Sequence, residues 1–175
     1  MTFFNTAPRA FGAVILTSLM LGTAANAATA TDTFDVILTI EKTCSVTAGA
    51  GSNIDLGTVD STATNVEGSN SIAVTCTKGT PYFIGLAPSS GDTTGSGTMA
   101  STTAGNLDVV PYQLQQAAGA GGTVWGNTAT ASNIGNGVTG TGSGAAQMQT
   151  VYAVAPSANF TADSYKDTVT VNVNY

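Results

Sequence analysis

Two cysteines, Cys44 and Cys76, are the side chains here with the clearest chemistry, and histidine is absent. Two thiols without an imidazole leave a zinc site short of ligands. In an exported chain, an even pair of cysteines reads instead as one disulfide. Closing a loop of that length stabilises a fold by about 3–4 kcal/mol in the chain-entropy account. Asp163 and Asp167 lie close in sequence. General acid–base work, however, calls for a carboxylate pair or an imidazole in a cleft. The two aspartates flank the entrance to a strand and read as solvated. The usual nucleophilic triads cannot be assembled without histidine. Gly135-Asn136-Gly137-Val138-Thr139-Gly140 matches G-x-G-x-x-G. No helical pattern follows it, so a phosphate would find no helix N-terminus there. Trp125, the single tryptophan, reads as a core aromatic, with stacking on a sugar as the alternative. Asn159-Phe160-Thr161 is a glycosylation sequon, without meaning in a bacterial export route. No catalytic residue, metal ligand or cofactor is expected.

The elements that must hold these residues begin behind an export signal. Arg9 supplies a weak positive region, and Phe11 to Leu21 is apolar. That stretch is too short to span a bilayer but suits a signal peptide. Ala25-Asn26-Ala27 is a small-x-small cleavage site, which places the signal at residues 1–27 and excludes stable membrane insertion. Cleavage after Ala27 leaves 148 of 175 residues, enough for one domain with a real core. The remainder carries Lys42, Lys78 and Lys166 against ten acidic residues, a net charge of −7. Nucleic acid and anionic membrane need clustered Lys/Arg, so neither is an expected partner. Abundant small and β-branched residues with frequent glycine turns indicate an all-β extracellular domain.

Alternation places the strands. Ile72, Val74 and Cys76 share one face, as do Tyr82, Ile84 and Leu86, and Val110, Tyr112 and Leu114. Cys44-Ser45-Val46, Ile54 to Val59 and Thr123 to Gly126 read as short strands. Gln147 to Ala155 puts Met148, Thr150, Tyr152 and Val154 on one side. Residues 88–106 and 133–145 read as a long hairpin or loop and a Gly-rich loop. Tyr165 to Tyr175 reads as the longest strand. Many short strands with turns between them point to a β-sandwich.

The two ends of the mature chain are also strands. Phe34, Val36, Leu38 and Ile40 fall on one face of the first. Burying four such side chains is worth about 6–12 kcal/mol as an upper estimate. Left in water, the same strand is an aggregation hazard. The chain ends on Val169, Val171 and Val173 in alternation. A free strand at one end and a bare sheet edge at the other indicate a subunit completed by its neighbour. Periodicity alone does not separate this from pairing within one chain.

Several segments together resemble the spore coat protein U domain family, which includes subunits of archaic (Csu-type) chaperone–usher pili. They are Thr43-Cys44-Ser45-Val46, the run from Ser71 to Tyr82, Tyr112-Gln113-Leu114, Trp125-Gly126, Tyr152 to Pro156, and Tyr165 to Tyr175. The resemblance implies an incomplete immunoglobulin-like β-sandwich at residues 43–175, completed by a donor strand from a neighbouring subunit. The donor lies within residues 28–42, with Phe34, Val36, Leu38 and Ile40 filling a groove. Val169, Val171 and Val173 line that acceptor groove, and Cys44 and Cys76 take the positions of the family disulfide. A periplasmic chaperone, an outer-membrane usher and identical or related subunits are the implied partners, and a cell-surface pilus in adhesion and biofilm formation is the implied product. A non-fimbrial spore or cell coat protein of the same fold and a small carbohydrate-binding module using Trp125 are the alternatives.

Overall fold

A computed structural model describes residues 27–175. The expected signal peptide therefore lies outside the described residues, apart from Ala27. The chain divides into two units, one ending at Leu38 and the other beginning at Thr39. No strand is present between residues 27 and 38.

In the second unit, alternating apolar residues build nine strands: β1 (Cys44–Thr47), β2 (Thr64–Cys76), β3 (Pro81–Pro88), β4 (Ser96–Ser101), β5 (Val109–Gln115), β6 (Val138–Thr141), β7 (Gln147–Ser157), β8 (Tyr165–Lys166) and β9 (Val169–Asn174). Helix among the described residues is confined to one 3-10 turn, Ala50–Ser52. The strands form a six-stranded sheet in the order β1-β2-β7-β5-β4-β8 and a three-stranded sheet in the order β6-β3-β9. Every pairing is antiparallel.

The core forms where the alternating faces meet. Ile72, Val74 and Cys76 of β2, Tyr82, Ile84 and Leu86 of β3, and Val110, Tyr112 and Leu114 of β5 are buried, as their alternation requires. β7 turns the other way from its most conspicuous side chains. Its register sets Val74 against Gln147 and Ile72 against Gln149. Val151, Ala153 and Ala155 therefore join the core face, while Met148 and Thr150 are exposed. Val154, on the opposite face, is also buried, so apolar character on this strand does not mark one face alone.

Besides the one expected at Phe34 to Ile40, which forms no ladder, two expected strands are absent. Ile54 to Val59 pairs with nothing; instead Ile54 and Leu56 lie half-buried against the core. The segment crosses the inner face of β2 at Gly68, where a Cβ would come within 2.6 Å of the Asp55 carbonyl oxygen and 3.0 Å of Leu56. Glycine is required there by close approach, not by turn geometry. Thr123 to Gly126 contributes only a single bridge, between Gln115 and Val124. The segment read as a long hairpin or loop contains β4, and the one read as a Gly-rich loop contains β6.

The final stretch is not one strand, and β2, with 13 residues, is the longest. Tyr165 and Lys166 pair with β4 in the larger sheet, whereas Val169 to Asn174 pair with β3 in the smaller one. Asp167 sits at the crossing. Its carboxylate accepts a 2.6 Å hydrogen bond from the Tyr112 hydroxyl and a 2.7 Å bond from the Thr168 N–H.

Candidate functional site: a seam between two free strand edges

β1 pairs with β2 on one side only, and β9 pairs with β3 on one side only. Each is thus the outermost strand of its sheet. The two strands approach within 8 Å, Cα to Cα, yet no ladder joins them. Two rows of backbone N–H and C=O groups border the same seam, and such rows pair with any strand offered to them.

The side chains along the seam are apolar and incompletely covered. Cys44, Val46, Val169, Val171 and Val173 all pack on the core but stay half-buried. On β3, one strand further in, Ile84 and Leu86 are fully buried. Covering the exposed part of these valines is the apolar gain available to an added strand, at roughly 25 cal/mol per Å².

The other face of β9 is moored by residues that carry no periodic signal. Asn172 Nδ2 donates to Asn127 Oδ1 at 3.0 Å. Asn174 Nδ2 donates to the carbonyls of Phe83 at 3.4 Å and Ala129 at 3.3 Å. With its asparagines held by the segment that follows Trp125, β9 keeps its valines on the core side.

The disulfide joins Cys44 to Cys76, which are also register partners at the start of β1 and the end of β2. It ties the four-residue β1 to the longest strand of the larger sheet. The expected donor side chains are exposed: Phe34 by 87%, Val36 by 90%, Leu38 by 82% and Ile40 by 73%. The structure thus brings Val169, Val171 and Val173 together with β1, and leaves Phe34, Val36, Leu38 and Ile40 open to solvent.

The other candidate chemistry does not assemble. Trp125 is only 1% exposed, and its indole N–H donates to the Ile84 carbonyl at 2.9 Å, so its ring cannot stack on a sugar. The glycine-rich motif leads into β6 and not into a helix. Among the described residues, no three His, Cys, Asp or Glu side chains gather in a metal-binding group.

Asp163 and Asp167 are half-exposed and act as hydrogen-bond hubs. Asp163 accepts from the hydroxyls of Ser101 and Thr103, from Asn106 Nδ2 and from the Ser164 N–H. The Ser101 hydroxyl, followed by Asn106 and Thr103, holds its pKa well below the usual carboxylate range. At Asp167, burial pushes the pKa up, but hydrogen bonds from Ser89, Tyr112 and Thr168 outweigh it and the net shift is downward. Burial, then the hydrogen bond and charge of Asp167, push the Tyr112 phenol far up, so it stays neutral.

For a carboxylate with a depressed folded pKa, the stabilisation is complete above the unfolded value, about 3.9. It is lost as pH falls through the folded value. Melting temperature is therefore expected to be flat from neutrality to about pH 5 and to drop below about pH 4. Asp163→Asn should weaken that acid dependence. An unaltered profile, followed by circular dichroism, would remove Asp163 from the account.

The Spore Coat Protein U domain model matches residues 30–172. Among solved structures, the chain is similar to one in the crystal structure of the CsuC–CsuE chaperone–tip adhesion subunit pre-assembly complex from archaic chaperone–usher Csu pili of Acinetobacter baumannii. The TM-score is 0.50 at 18% identity, covering 78% of this chain and 41% of that one. At that identity the likeness is one of fold, and this chain spans about two-fifths of the other's length. No curated protein matches in sequence. With a family match that runs from ahead of β1 into β9, the chain belongs to the Spore Coat Protein U domain family, whose members are structural proteins and not enzymes.

Proposed function

We propose that the chain is a structural subunit of an archaic chaperone–usher pilus and polymerises by donor-strand exchange. The observation that carries this reading is the seam: two adjacent free edges over half-covered valines, in a chain whose leader exposes an apolar residue at every second position. Residues 28–42 act as the donor, with Phe34, Val36, Leu38 and Ile40 entering the seam of the next subunit beside Val169, Val171 and Val173. Residues 1–27 are removed on export, and residues 43–175 form the pilin domain. A donor passed from each copy to the next is a heterologous contact that does not close, so it yields a filament. The similar structure is a complex with a chaperone, which supports a periplasmic chaperone holding the seam before assembly. An outer-membrane usher, display at the cell surface and a role in adhesion and biofilm formation follow from the same reading.

The family description names a spore coat protein, which favours a second reading: a non-fimbrial coat built through the same seam. Electron microscopy separates the two as filaments against sheets. For either reading, purified mature protein without chaperone is expected to form SDS-resistant ladders that collapse on heating. A stable monomer with its own leader seated in its own sheet would overturn both.

A further inference from the structure

We propose that Thr77 is a positioning residue that steers the leader toward a neighbour's seam and away from its own; this rests on the donor-strand reading. Thr77 follows the last residue of β2, and it grips the residues just ahead of β1 with both backbone and side chain. Its N–H donates to the Thr43 carbonyl at 2.9 Å. The Thr43 N–H donates to Thr77 Oγ1 at 3.1 Å, and Thr77 Oγ1 donates to the Glu41 carbonyl at 3.1 Å. Glu41 and Thr43 are thereby tied to the end of β2 just ahead of β1, next to the Cys44–Cys76 bond.

To fill its own seam, the leader has to turn back along the free edge of β1. Residues opposed across antiparallel strands share a face, so the apolar leader side chains reach the core only opposite Cys44 and Val46, the half-buried residues of β1. A three-residue hairpin loop at Ile40 to Lys42 sets Leu38 opposite Cys44 and Val36 opposite Val46. The Thr77 grip blocks that loop, because the Glu41 carbonyl and both backbone groups of Thr43 are already engaged. A loop at Thr39 to Glu41 uses the same held carbonyl. The next, at Leu38 to Ile40, sets Phe34 opposite Cys44 and Asp32 opposite Val46, and leaves Leu38 in the loop and Val36 beside Lys42, ahead of the strand. That register places the Asp32 carboxylate against a half-buried apolar wall, which is disfavoured. A leader arriving from another copy carries no such restriction.

The test is refolding of the mature chain without chaperone, with monomer separated from multimers by size exclusion and by unheated SDS gels. Wild type is expected to give mainly multimers. Thr77→Val keeps the side-chain shape and removes the hydroxyl. It should raise the monomer-to-multimer ratio roughly fivefold or more, the scale of one lost net hydrogen bond. Thr77→Ser should keep the wild-type ratio. A purely structural role lowers the yield of both species and leaves the ratio alone, so an unchanged ratio in Thr77→Val overturns the proposal. If Thr77→Val does not fold, amide exchange in wild type decides: a protected Thr43 N–H supports the grip, and exchange at the unfolded-chain rate overturns it. Deleting residues 28–40 separates the two levels. If the leaderless chain forms the same multimers, the donor-strand reading fails and takes Thr77 with it. If only the leader-bearing chain polymerises while Thr77→Val partitions like wild type, the Thr77 assignment fails alone.

Discussion

Val36→Asp and Leu38→Asp are each expected to leave a subunit that folds, stays soluble with its chaperone and forms no filaments. Both side chains are more than four-fifths exposed, so the subunit's own fold loses almost nothing when they change. In the proposed donor-strand contact, the same positions enter a neighbour's seam beside Val169, Val171 and Val173. Each substitution there removes about 1.5–3 kcal/mol of apolar burial and adds an unpaired carboxylate in a desolvated site. The effect on assembly is therefore large while the effect on folding is small. Negative-stain microscopy and unheated gels measure the first, and thermal melting of the chaperone complex measures the second. Normal filaments from either variant count directly against the donor assignment. Val171→Asp places the same charge on the acceptor side, and it should be lost from filaments even when wild-type leaders are supplied in trans.

Cys44→Ser is expected to lower subunit stability by about 3–4 kcal/mol in the chain-entropy account, with a matching fall in periplasmic yield. β1 has four residues and one partner strand, so the disulfide supplies much of what keeps it in place. When β1 frays, the seam loses one wall, and assembly should fall along with stability. Reducing agent should reproduce the loss in wild type and add nothing to the variant. An unchanged melting temperature and yield would contradict a structural bridge.

The sequence was most legible where one face of a strand is apolar and the other polar. β2, β3 and β5 satisfy that condition, and their buried residues are those their alternation predicts. β7 does not, because Val154 is buried on the face opposite Val151 and Ala153; only its register with β2 decides which side faces the core. The break in the last strand was hidden for another reason. Asp167 is held there by Tyr112, a partner 55 positions away, and no local pattern reports so distant a bond. The same applies to the mooring of Asn172 and Asn174, and to Asp163, whose hydroxyl and amide partners lie 57 to 62 residues upstream. The valines of the seam were visible as alternation. That β9 and β1 border one another is a property of strand order, and neither the alternation nor the family resemblance supplied it.

The place of the disulfide has a mechanical consequence. In the proposed filament, tension would arrive at each subunit through its leader and reach Cys44 as the first residue of β1. There the bond to Cys76 passes the force covalently into β2, which is flanked by β1 and β7. The short β1 ladder is bypassed, so the lip of the seam would be shielded from the drag that such a fibre carries.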